Sequence, residues 1–227
     1  MSSVFEVFND EGKLSITDET PCVYVIAKRK IGAYDSIQEI SETDHNLTFS
    51  NLGGKVYFIG FDLNQLPNGT ICIDTRGATG LHNFAYVQVY GNLDSVRNVD
   101  LYFFGIRQKT DDSLAGMELY DKDGYVLFTS RPGTQYPNVL RASSDDSVSF
   151  SVTTDPAVFV VVGWDVLADG VGRSNPLSGG SSRRLPWVTK NGTSITVNKD
   201  YAGDYCPSLK RSEYLYNWLL LTLQTVE

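Results

Sequence analysis

The sequence predicts an all-β protein built as two tandem, duplicated β-sandwich modules. Three observations carry that prediction: a composition rich in Tyr, Phe and Gly, apolar runs of strand length between turn residues, and features that recur in both halves. Of the 227 residues 41% are hydrophobic, with 13 Tyr, 11 Phe and 20 Gly against 2 Met. Aromatic side chains suit a pleated, half-buried surface, and Gly supplies turns. A chain of this length buries one large core or two small ones of roughly 110 residues each.

In chain order, strands are expected at 5–8, 13–17, 22–28, 47–49, 55–61, 70–73, 84–90 and 100–107 in the first half. The second half gives 117–120, 125–129, 147–152, 157–164, 185–189, 194–197 and 214–223. Each is an apolar or alternating run bounded by Gly, Pro, Asn or Asp, at the spacing of a sandwich. The first two flank Asn9-Asp10-Glu11-Gly12, and 117–120 and 125–129 flank Asp121-Lys122-Asp123-Gly124. Asn and Asp bond the local backbone and Gly takes positive φ at little cost, so both read as hairpins. The stretch ELYDKDGYVLFTS also places carboxylates at alternate positions before a glycine, as a calcium loop does. With Gly124 as its sixth residue, such a loop would begin at Leu119 and end at Ser130. Those positions require Asp and a bidentate Glu, so the hairpin is the expectation. In 214–223 the run Trp218-Leu219-Leu220-Leu221 fits a buried helical turn, but the alternation of Tyr214, Tyr216 and Trp218 favours a strand.

Setting Gly12 over Gly124 gives an offset of 124 − 12 = 112. Glu6 then matches Glu118, Phe8 matches Tyr120, Leu14 matches Val126, Ile16 matches Phe128 and Thr17 matches Thr129. KVYFIGFDL (55–63) is similar to VFVVVGWDV (158–166), and aromatic runs VDLYFFGIRQ and EYLYNWLLLTLQ close the two halves. Three features in one order point to tandem duplication, with modules at 1–110 and 115–227. The short polar junction QKTDDSLA (108–115) would hold them in nearly fixed relation.

With 19 basic and 27 acidic residues the formal charge is −8, which argues against coating nucleic acid. The run Lys28-Arg29-Lys30 reads as a solvated strand end. Cys22, Cys72 and Cys206 are scattered and odd in number, so neither a disulfide scaffold nor a zinc site is expected, and a reducing cytosol suits the chain. No run reaches membrane-spanning length and no signal-peptide core opens the sequence, so no membrane insertion is expected. The triplets at Asn46, Asn68 and Asn191 read as turns.

Only His45 and His82 could serve a histidine-based site, and neither lies in a catalytic motif. Asp62 and Asp165, equivalent in the two halves, could form a carboxylate pair for glycoside hydrolysis, but capping of local backbone is the simpler role. No enzyme activity, cofactor or metal is expected. The stretch LADGVGRSNPLSGGSSRRLP (167–186) reads as a long loop carrying Arg173, Arg183 and Arg184, candidates for contact with carboxylates of a neighbour. A milder counterpart, 68–83, carries Arg76 and His82. Trp187 stands at the rim of the longer loop and is the aromatic best placed to meet a sugar.

The segments FEVFNDEGKLSITD and MELYDKDGYVLFTS resemble the recurrent opening of small β-rich tail proteins of tailed bacteriophages, the second more closely, the first departing at Ser15 and Asp18. The resemblance implies a structural virion protein of the tail-tip or fibre-attachment region, assembled in the host cytoplasm and working without catalysis. Its implied partners are other tail proteins and copies of itself. The alternative is a glycan- or receptor-binding module at a tail or fibre end, with a host surface glycan as partner. Reversing two charges, Arg183→Glu with Arg184→Glu, is expected to impair incorporation into particles while the isolated chain still folds. Normal incorporation of that variant would remove the arginine contact.

Overall fold

The computed structural model describes residues 6–8, 14–17, 22–78, 82–109, 116–162, 165–167, 180–201, 206–207 and 217–227; of these, 6–8, 14–17, 165–167, 180–184, 200–201 and 206–207 are described as backbone only. In the first half β1 (Glu6–Phe8) and β2 (Leu14–Thr17) form a hairpin, followed by β3 (Tyr24–Lys30), β4 (Ser36–Ser41) and β5 (Asp44–Ser50). β6 (Gly54–Asp62), β7 (Gly69–Gly77), β8 (Phe84–Tyr90), the short helix α1 (Leu93–Val96) and β9 (Asp100–Arg107) complete it. The second half opens with the hairpin of β10 (Glu118–Tyr120) and β11 (Val126–Thr129), then β12 (Gln135–Ser143), β13 (Ser147–Ser151) and β14 (Val158–Val161). β15 (Asp165–Leu167), β16 (Gly180–Asn191), β17 (Ser194–Tyr201), β18 (Cys206–Pro207) and β19 (Trp218–Thr225) follow. The fold is all-β, and no described helix is long and apolar enough to cross a membrane.

The Asp121–Gly124 stretch is a hairpin turn. Asp121 Oδ1 accepts from the backbone N–H of Asp123 (2.9 Å) and Tyr125 (2.7 Å), and Gly124 sits at φ 80°. Both hairpins share one register: Glu6 pairs with Thr17 and Glu118 with Thr129, with a bulge at Val7/Phe8 and at Leu119/Tyr120.

β4 and β12 escape the sequence reading because both are outermost strands, with side chains mainly exposed in β4 and mainly exposed or half-buried in β12. An edge strand needs no apolar alternation and tolerates Pro137. Parts of two expected loops are strands instead, while 79–81 and 168–179 lie outside the described residues. β7 runs on to Gly77 and includes Arg76, and β16 begins at Gly180 and includes Arg183 and Arg184, opposite Val166 and Asp165 of β15. Neighbouring strands satisfy these backbones, so Gly- and Ser-rich segments of poor strand propensity are held extended. Of the three glycosylation-type triplets, Asn191 ends β16 at its turn and Asn68 Oδ1 accepts from Gly192 N (3.0 Å) across the same corner. Asn46, expected in a turn, lies inside β5.

Six strands form one sheet in the order β12-β19-β14-β6-β9-β3. The other follows β13-β17-β16-β7-β8-β5-β4, with β15 and β18 also pairing β16. Both sheets cross the boundary between halves: Phe159 of β14 lies opposite Phe61 of β6, and Val188 of β16 opposite Ile71 of β7. Outward from that seam the strand order repeats, β6-β9-β3 matching β14-β19-β12 and β7-β8-β5 matching β16-β17-β13. The expected boundary near 108–115 therefore separates two sets of strands that share sheets and core.

Between the sheets, Phe49, Ile59, Phe61 and Phe103 of the first half are buried in one cluster with Phe159, Val197 and Trp218 of the second. The ring centroids of Phe61 and Phe159 lie 5.4 Å apart, and those of Phe159 and Trp218 5.2 Å. On its other face the six-stranded sheet buries a smaller cluster of Tyr102, Phe104, Val158, Val160 and Leu221. That face is enclosed because the sheet curls until its outer strands approach, Tyr24 of β3 meeting Tyr136 of β12 edge to face at 5.8 Å. The hairpin of β10 and β11 clasps the closure. Tyr24 donates to Val126 O (3.3 Å), Tyr136 to Thr129 O (2.6 Å), and Cys22 N to Leu127 O (2.8 Å). Burial pushes the Tyr136 phenol up to about 12, so it stays a donor at ordinary pH.

Two charged groups bolt these parts together. Lys190 Nζ, on β16, donates to Leu63 O (3.0 Å) and Leu66 O (2.9 Å) and also reaches Asn64 O, capping the 3-10 turn after β6. Glu118, its side chain 5% exposed, receives Arg107 of β9, Arg131 Nη2 (3.0 Å), Thr129 Oγ1 (3.1 Å) and the Tyr120 hydroxyl. Burial acts to raise its pKa, but the donated bonds from Tyr120, Arg107 and Thr129 outweigh it and hold the carboxyl below the usual Glu range.

A Cβ at Gly60 would overlap Val158 Cγ1 and Val160 Cγ2 across the seam. Gly60→Val should therefore destabilise by about 1–3 kcal/mol in urea titration; unchanged stability would mean that the seam has room. Glu118 is depressed in the folded state, so it stabilises above the unfolded carboxyl range and that contribution is lost as pH falls through the folded value. Glu118→Gln should lower the thermal midpoint at pH 7 and shrink the loss of stability between pH 5 and 3. An acid profile parallel to the parent's would show that Glu118 is not a source of it.

Candidate functional site

Alternation along β8 settles what faces outward from the larger sheet. Ala85, Val87 and Val89 are fully buried in the core, which leaves Phe84, Tyr86, Gln88 and Tyr90 on the opposite face. Residues directly opposite in an antiparallel pair share a face. Ser50, Thr48, Asn46 and Asp44 of β5 therefore stand beside those four in turn, with Ser36, Gln38 and Ser41 of β4 in the next row. The result is a line of aromatic rings flanked by hydroxyls and amides. Tyr86 is 42% exposed, its ring 5.5 Å from Phe84, and His82 lies flat against Phe84 at 4.8 Å with planes 8° apart.

At the Tyr90 end the line runs into a cleft of about 700 Å³ lined by Ile40, Ser41, Thr43, Asp44, Tyr90, Gly91 and Trp187. Local structure builds it. A bulge between Glu39 and Ser41 pushes Ile40 out of the ladder, and Gly91 N donates to Thr43 O (2.8 Å) to fix the corner. Asp44 accepts from Gln88 Nε2 at 2.8 Å. Trp187 projects from β16 with its ring 6.4 Å from that of Tyr90. Cys72, opposite Tyr90 on the intervening β7, is fully buried, and burial raises its thiol well above the ordinary range, so it acts as an inert apolar floor.

The residues singled out in the sequence are distributed unevenly over this face. Trp187 lines the cleft. His82 lies at the other end of β8, about 20 Å away at the strand rise of 3.3 Å per residue. Arg76 holds Asp74 through two bonds, Nε to Oδ1 at 2.7 Å and Nη2 to Oδ2, with only 10% of its side chain exposed. Arg183 and Arg184 are placed by their backbone in β16, and Arg173 lies outside the described residues. Tyr86, Tyr90, Asp44 and Ile40 were missed, although the alternation FAYVQVY carries the signal for the first two.

Asp62, one of the two carboxylates considered for hydrolysis, has structural work. Asp62, buried and raised by that burial, accepts from Asn64 N (3.0 Å) and Gln65 Nε2 (3.1 Å). Gln65 Nε2 also donates to Asp100 (2.8 Å), which meets Lys28 (2.8 Å) and Lys30 (3.4 Å) and titrates low. Part of the Lys28-Arg29-Lys30 run is thus spent on an internal carboxylate. Asp165 is placed by its backbone in β15. No protein-family model, curated protein or solved structure matches the chain.

Proposed function

We propose that the chain is a structural virion protein of a bacteriophage tail, in the tail-tip or fibre-attachment region, acting by assembly with other tail proteins and with copies of itself. The observation that carries this reading is where its exposed apolar side chains fall. Val139 (56% exposed) and Leu140 (46%) lie at a bulge in β12, an outermost strand, and Ile40 (55%) at a bulge in β4, another. Met117 and Tyr120 are exposed on the β10 hairpin that carries the tail-protein resemblance. Outer strands are where a sheet recruits another chain, and apolar side chains there favour cover over solvation. The ties made by Lys190 and by the buried Glu118 carboxylate suit a part that must stay rigid inside an assembly.

Quantitative mass spectrometry of purified particles tests the reading, with a fixed copy number in multiples of three or six as the expected result. Val139→Lys with Leu140→Lys should lower that copy number and reduce self-association in sedimentation, with the thermal midpoint little changed. Absence of the parent chain from particles would overturn the assignment, and full incorporation of the variant would move the contact away from β12.

A further inference from the structure

We infer that the outer face of β4, β5 and β8, together with the cleft between Tyr90 and Trp187, is a binding site for a neutral saccharide. Saccharides present two kinds of surface, apolar C–H faces and a dense ring of hydroxyls. Bound in water, they need flat aromatic rings for the first and planar or hydroxyl hydrogen-bonding groups for the second. This face supplies both in register. Phe84 and Tyr86 stand in line on β8, and Ser50 and Thr48 are the residues directly opposite them. Asn46 lies opposite Gln88, and Gln38 opposite Asn46, making a row of amides next to the rings.

Charge narrows the class. Among the outward positions 36, 38, 41, 44, 46, 48, 50, 84, 86, 88 and 90, Asp44 is the one Asp or Glu, and none is Lys, Arg or His. Arg76, the nearest cation described on the adjoining strand, is already held by Asp74. A sialylated, sulfated or phosphorylated ligand would meet no positive group on these rows and would be opposed by Asp44 and by the formal charge of −8. Aliphatic cover is also sparse, since Ile40 is the exposed aliphatic of the cleft rim. That pattern differs from the Val139–Leu140 bulge, which suits a protein surface. The cleft volume, about 700 Å³, falls within the range of small-ligand pockets, roughly 300–1,000 Å³. Asp44, oriented by Gln88, stands in its wall as the acceptor for a sugar hydroxyl pair.

The test uses the purified full chain and does not depend on particle incorporation, so its failure and that of the assembly reading are separable. The chain is applied to an array of neutral, amine-bearing, sialylated and sulfated oligosaccharides, and the strongest neutral hit is titrated calorimetrically. Binding to neutral glycans is expected, weakened about tenfold by Tyr86→Ala and by Trp187→Ala. Asp44→Asn should weaken it as well, with thermal midpoints recorded for every variant. Tyr86 is exposed, so its variant keeps the test valid even if Trp187→Ala folds poorly. Absence of neutral-glycan binding, a preference for sialylated or sulfated glycans, or parent-like affinity in Tyr86→Ala would each overturn the inference.

Discussion

Phe61 opposite Phe159 and Val188 opposite Ile71 fix how the rest of the protein is arranged. These two short ladders join the halves in both sheets at once. A slip of one residue in either would turn every side chain of that sheet to the wrong face. With the seam set, the same outward order of strands follows on each side, and the two inner faces meet over a single core. Gly60 makes the close approach possible, since any side chain there would enter the space of Val158 and Val160.

A sheet fixed at its centre still has edges to dispose of. The smaller sheet brings its edges towards each other, with Tyr24 against Tyr136 and the β10–β11 hairpin hydrogen-bonded to both. The Glu118 carboxylate locks that hairpin to Arg107 and Arg131. Charge at this position costs solvation, and enough donated bonds offset it to keep the carboxyl ionised. The hairpin motif shared by the two halves thus acts in the second half as a clasp, which gives the Asp121–Gly124 turn a mechanical role.

The larger sheet stays open, and its consequences are functional. Its outer face carries aromatic rings among hydroxyls and amides, while the apolar residues at the bulges of β4 and β12 lie on outermost strands. The Val139–Leu140 bulge, on β12 of the smaller sheet, lies apart from that face, whereas Ile40 of β4 borders the cleft itself. A tail component that holds a neighbour through β12 and meets a sugar with the face of β4, β5 and β8 would use both without conflict.

Much was legible in the sequence because its signals are local. Alternation marked β8 and an aromatic apolar run marked β9 to the residue, and Asp121 and Gly124 specified their turn through bonds within four residues. From Trp218 onward the final segment is a strand and not the helical turn its leucines also fit, while 214–216 lie outside the described residues. Strands without a buried face, β4 and β12, left no alternation to read. The Gly- and Ser-rich start of β16 and the Arg76 end of β7 became strands through pairing with neighbouring strands, and Arg76 was turned from a loop cation into the partner of Asp74. The cleft was likewise invisible, since Asp44, Tyr90 and Trp187 lie on three strands and meet only when β5, β8, β7 and β16 stand side by side. The sequence by itself determined the all-β class, the hairpins and those strands with a buried face, because each rests on side-chain period and turn chemistry within a few residues. The tertiary structure decided which strands are neighbours, which charges are consumed inside and which rings share a face, because those depend on pairing across about a hundred residues of chain.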